Sequence, residues 1–199
     1  MAYPAFFDTI PTVILRDPLA RFLGAAEDGL IEYSFAEVVK LTGHSCPTVA
    51  GAWLMTVGAL KRLYGDDTPI RGEVAVRFQK NAAEGVTGVI AGVVTFLTGA
   101  TEDTGFKGLR GRFVRRGLMS FDQPIDGDIR FERVDTGQAV TVSFDASQVP
   151  SPSDLMPRLF MAMDKEATQE QKAAFAAAWQ DRVRRIFEEA EKGQVLKYA

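Results

Sequence analysis

The chain contains one histidine and one cysteine, and they stand two residues apart in Thr42-Gly43-His44-Ser45-Cys46-Pro47. An imidazole and a thiolate are the strongest protein donors for a borderline-soft metal such as zinc. The same pair also fits covalent chemistry, with Cys46 as nucleophile and His44 as base. Elsewhere a lone Cys packs as a small hydrophobe, and a lone His is commonly a satisfied core group. The neighbours set this pair apart. Pro47 suits the first turn of a helix, where its missing N–H would have no partner, so Cys46 is expected at a helix N-terminus. The positive end of a helix dipole suits a thiolate.

Several elements must position that pair. Ser34 with Glu37 forms a capping box that opens a short helix, Phe35 to Leu41, delivering the chain to Gly43. From Pro47 to Tyr64 the spacing of Val49, Trp53, Val57 and Leu60 predicts a helix, thinned by Gly51 and Gly58. Interior glycines cost about 1 kcal/mol each against alanine, so close approach of another backbone is expected there. Gly72 to Phe78 alternates as a strand, and a second small-residue helix runs from about Val86 to Leu97. Phe113 to Phe121, Asp128 to Val134 and Ala139 to Phe144 read as three antiparallel strands, with a hairpin turn at Asp135-Thr136-Gly137. Residues 1–16 read as an extended arm lying on the surface. Asp17-Pro18 opens a helix towards Ala26, and Ile31 to Tyr33 is a short strand. Residues 152–199 read as C-terminal helices, the last capped by Thr168 with Gln171 and running from Gln169 to about Glu191. Met156, Phe160, Met161 and Met163 read as core or interface packing.

At 199 residues the chain can bury one sizeable core, and a single domain over 1–199 is expected. Its 46% hydrophobic and 25% charged residues are ordinary for a globular protein. A net charge of −3 gives no pull towards nucleic acid or an anionic membrane. One cysteine allows no internal disulfide, which fits a reducing compartment. Met1 to Asp8 lacks the pattern of a secretory leader, and Val86 to Leu97 is shorter than the roughly 20 residues of a membrane span. The cytoplasm is the expected setting. Lys107, Arg110, Arg112, Arg115 and Arg116 form the densest basic run. It reads either as an anion site or as a solvated hairpin edge; the second is adopted, except for Lys107.

Gly43-His44-Ser45-Cys46-Pro47, with Gly51 in the helix that follows, resembles the signature of the FmdE-like family, named for formylmethanofuran dehydrogenase. Asn81 to Thr101 followed by Gly105-Phe106-Lys107-Gly108 is similar to that family's segment ending Thr-Gly-Cys-Thr and followed by Gly-Lys-Gly. The resemblance covers roughly Phe35 to Phe121. It implies an α+β fold, with a mixed or antiparallel sheet packed against glycine-rich helices, similar to the catalytic domain of glyceraldehyde-3-phosphate dehydrogenase. It also implies a homodimer carrying zinc or another transition metal near the His-x-Cys pair. The sequence departs from the family pattern with Glu84 and Ala100 where cysteines are usual, with Thr87 for an aspartate, and without a zinc ribbon.

The leading expectation is a metal-binding protein handling a small-molecule ligand or cofactor. Its ligands are His44, Cys46 and, as third, Glu84, with Lys107 and Thr101 facing the bound molecule. The alternatives are a metal-free thiol enzyme using Cys46 and His44, or a haem or other tetrapyrrole carrier.

Overall fold

The computed structural model describes residues 3–199, beginning with a 3₁₀ turn, Ala5–Thr9, and strand β1, Val13–Arg16. Residues 1 and 2 of the expected arm lie outside the described residues. The remainder is not simply an extended surface arm. Phe7, Ile10 and Leu15 are buried, and Phe7 packs edge-on against Phe35 with ring centroids 5.0 Å apart. Its apolar side chains find a better place inside than on the surface. Helix α1 is only Pro18–Phe22, leaving Phe22 and Leu23 exposed, and leads to β2, Leu30–Tyr33, antiparallel to β1. Helix α2, Phe35–Thr42, opens with the expected Ser34–Glu37 capping box.

Helix α3, Pro47–Tyr64, is buried on nearly every side, from Val49 through Trp53 and Leu60 to Tyr64. A helix apolar all round belongs inside a protein. It lies against the main sheet, with α2, helix α4 (Thr87–Thr98) and helix α6 (Gln169–Glu191) also packed on it. The glycines of α3 receive side chains rather than a second backbone. A Cβ on Gly51 would come within 2.6 Å of the Phe144 ring, and one on Gly58 would collide with Tyr198 Oη. Gly92 of α4 faces open space.

The main sheet has the order β4-β3-β5-β6-β7, built from β3 (Val74–Phe78), β4 (Met119–Ser120), β5 (Ile129–Arg133), β6 (Ala139–Phe144) and β7 (Leu196–Tyr198). One face carries Val74, Val76, Phe78, Ile129, Phe131 and Val142 into the core. The other carries Arg77 and Glu132, paired at 2.6 Å. Such one-sided burial is typical of antiparallel sheets. The protein is therefore α+β, with a mixed sheet.

Three expectations change. The strand expected over Phe113 to Phe121 shrinks to β4, which runs parallel to β3, because Arg115 turns inward and Phe113 adopts φ 61°. The C-terminal region contains β7 as well as α5 (Leu155–Met163) and α6. Of the α5 apolar residues Leu155 is buried, but Met156, Phe160, Met161 and Met163 are not core: Phe160 is 66% and Met163 73% exposed. Among the described residues no helix is long and apolar enough to cross a membrane.

Candidate functional site

Gly43 ends α2 with φ 75°, its N–H donating to Val39 O at 2.9 Å. That left-handed cap, which glycine adopts without strain, turns the chain towards α3. His44 is exposed, and its Nδ1 lies 2.9 Å from Thr42 O. A carbonyl can only accept, so Nδ1 carries the hydrogen and Nε2 of the neutral ring keeps its lone pair free. Cys46 is the N-cap of α3; its Sγ accepts from Val49 N–H at 3.5 Å, and the residue is 9% exposed. Between them, Ser45 O accepts from Trp179 Nε1 at 2.9 Å and from Gln180 Nε2 at 3.2 Å, so α6 pins the turn from the far end of the sequence. Ser45 Oγ and Gln180 Oε1 are buried there without a hydrogen-bond partner among the described residues. Buried polar atoms are usually satisfied, by protein or by ordered water, so two such atoms at one turn set it apart.

The first turn of α3 also walls a cleft of about 260 Å³. Pro47 and Thr48 face Lys80, Glu84 and Thr87 across it, over an apolar floor that includes Phe78, Ile129 and Phe144. Glu84 lines this cleft, 3.9 Å from Lys80 Nζ, but His44 and Cys46 do not. No group of three or more His, Cys, Asp or Glu placed to hold a metal ion occurs among the described residues. The single chain thus offers two donors at the turn and a carboxylate in the neighbouring cleft, not a closed ligand set. His44 and Cys46 are not bonded to each other: the sulfur meets Val49 and the ring meets Thr42. In a nucleophile–base pair that bond commonly tightens only once substrate is bound.

The other two expected residues have different surroundings. Thr101 is bound to the backbone, its Oγ1 donating to Arg115 O at 2.9 Å. Lys107 is exposed on the loop that follows α4 and makes no ion pair among the described residues.

A second polar centre carries no local signature in the sequence. Asp17 caps α1 through Leu19 N–H and Ala20 N–H at 2.9 and 3.1 Å, and accepts from Arg71 Nη1 at 2.9 Å and Arg115 Nη2 at 2.7 Å. Burial alone would raise the Asp17 carboxyl, but the Ala20 N–H, the Arg71 bond and the Arg115 charge together hold it below the usual range. Burial pulls the Arg115 guanidinium below its ordinary value, against the opposing pull of Asp17. Arg115 is thus an interior residue and no part of a solvated hairpin edge, contrary to the expectation for the basic run. The two pairs span 54 and 98 residues, a separation that no local pattern can reveal.

No protein-family model matches the chain, and no curated protein matches it.

Proposed function

We propose that the chain is a metal-binding protein that handles a small-molecule ligand at the start of α3, with His44 Nε2 and Cys46 Sγ as its donors. The observation that carries this reading is the Nδ1 bond of His44 to Thr42 O, which leaves Nε2 free two residues before a sulfur that caps a helix. A backbone carbonyl behind a ligating imidazole is the usual device for fixing its tautomer and direction. Two donors suit an open site, whose remaining positions go to water, to the ligand, or to a residue from a second copy of the chain. A zinc ion or similar cation held there supplies Lewis acidity to a bound oxygen or sulfur. Trp179 and Gln180 hold the turn, Glu84 lines the adjoining cleft, and Thr48 and Thr87 offer hydroxyls to the ligand. The resemblance to the FmdE-like family supports this reading. With it come a homodimer, a sheet-and-helix arrangement like the glyceraldehyde-3-phosphate dehydrogenase catalytic domain, and a cytoplasmic setting.

The test is elemental analysis of protein purified without chelator, before and after reconstitution with zinc or cobalt. About one metal per chain is expected, lost in Cys46→Ser and His44→Ala, with a sulfur-to-cobalt charge-transfer band in the cobalt form. Serine is a good N-cap, so Cys46→Ser removes the donor while the helix start survives. Wild-type protein that stays metal-free after reconstitution would overturn the reading.

A further inference from the structure

The Asp17 centre carries more positive charge than it neutralises. Two guanidiniums, Arg71 and Arg115, share one carboxylate. Arg115 is 5% exposed, and although Nη2 meets Asp17, its Nη1 has no hydrogen-bond partner among the described residues. A buried cation with unused donors is costly, and the surrounding chain has been shaped to admit it. Gly72 and Gly99, at φ 89° and 74°, let the guanidinium lie directly on the backbone. A Cβ on Gly99 would stand 2.5 Å from Nη1, and one on Gly72 would collide with it.

A cavity of about 290 Å³ opens beside this group, between the turn at residues 71–73 and the segment 112–115. Its lining brings together Arg71, Gly72, Glu73, Arg112, Phe113 and Arg115. Arg112 is fixed at the mouth by reciprocal backbone bonds with Leu109, at 2.9 and 3.0 Å, and its guanidinium lies over the Phe113 ring at 4.9 Å. Phe113 itself has φ 61°, a conformation that costs a bulky residue of order 1–3 kcal/mol and persists only where surroundings impose it. Glu73 is the one carboxylate in the lining and forms no ion pair with any of the three arginines. Counting Asp17 behind them, three positive groups face two negative ones.

We infer that this cavity binds the oxyanion group, phosphate or carboxylate, of a small molecule, gripped by Arg112 at the mouth and by Arg71 and Arg115 at the floor. Planar guanidiniums match such oxygens two at a time, and the orphaned Nη1 supplies donors that the protein does not use. The volume approaches the lower end of small-molecule sites, leaving room for a body beyond the oxyanion. Both ligand classes present the same chemistry to the arginines, so the experiment must separate them.

The test is a ¹H–¹⁵N NMR titration with inorganic phosphate in one arm and malonate in the other, with chloride at matched ionic strength as control. Saturable shifts clustered on residues 71–73 and 112–115 are expected with at least one oxyanion and not with chloride; the arm that responds names the class. Arg112→Gln is exposed, lies outside the buried ion cluster and should retain the fold, yet weaken binding by about tenfold or more. Absence of saturation with either oxyanion up to about 20 mM, shifts mapping elsewhere, or an unchanged affinity in Arg112→Gln would each overturn the inference.

Discussion

The two polar centres of this protein are built in opposite ways. The turn at residues 42–46 is contiguous in sequence, half open to solvent, and held by bonds between Thr42 and His44 and by hydrogen bonds donated from Val49, Trp179 and Gln180. The Asp17 centre is drawn from three remote segments, is buried, and is tied by ion pairs of 2.7 and 2.9 Å. At the first, the His44 ring is exposed with one nitrogen unengaged, whereas Ser45 and Cys46 are buried. Side chains at the second are largely committed to the fold, and only the surplus guanidinium donors remain. A residue type that does chemistry is therefore informative here only together with what it is already bonded to.

Substitutions at each centre put this contrast to the test. Asp17→Ala strands two guanidiniums and removes a helix cap; a loss of about 3–5 kcal/mol is expected in urea unfolding, the largest of the effects considered. The same group predicts a pH dependence. Its folded pKa lies below its unfolded value, so its contribution is complete above the unfolded range near 4 and disappears as pH falls through the folded value. The urea midpoint should hold between neutrality and about pH 5, fall below about pH 4, and fall less steeply in Asp17→Asn. At the other centre, Trp179→Phe removes the 2.9 Å bond to Ser45 O and should cost only about 1 kcal/mol, visible as a modest drop in Tm. Cys46→Ser should change stability by no more than about 0.5 kcal/mol while abolishing metal content. Lys107→Ala, in an exposed loop, should stay within about 0.5 kcal/mol in the same assay. A large loss in Cys46→Ser alone would erase the contrast, because the turn would then be structural too.

The sequence is most informative where the physics is local. Both capping boxes, the N-terminus of α3 and the turn at Gly137 depend on residues within a few positions of each other, and each is found where its spacing places it. The strand expected from Phe113 fails because apolar alternation cannot reveal that Arg115 will turn inward to a carboxylate at position 17. Strand β7 escapes a reading of the sequence because Leu196–Tyr198 gains its character only by pairing with β6. The backbone expected close to the α3 glycines is not there; rings fill the space instead, Phe144 at Gly51 and Tyr198 at Gly58. Of the candidate site, the His44–Cys46 turn is readable. The placement of Glu84 in a separate cleft and the binding of Thr101 to Arg115 are not, since both follow from tertiary packing.

The reach of the Asp17 ion cluster along the chain also bears on the order of events in folding. Position 17 cannot meet 71 and 115 until two long loops have closed, and closure of loops that long comes late, after local helices have formed. Bonds made after the rate-limiting step govern escape from the native state more than arrival in it. The cluster should thus act as a latch: Asp17→Ala should hasten unfolding by roughly 10²-fold or more while leaving the refolding rate nearly unchanged.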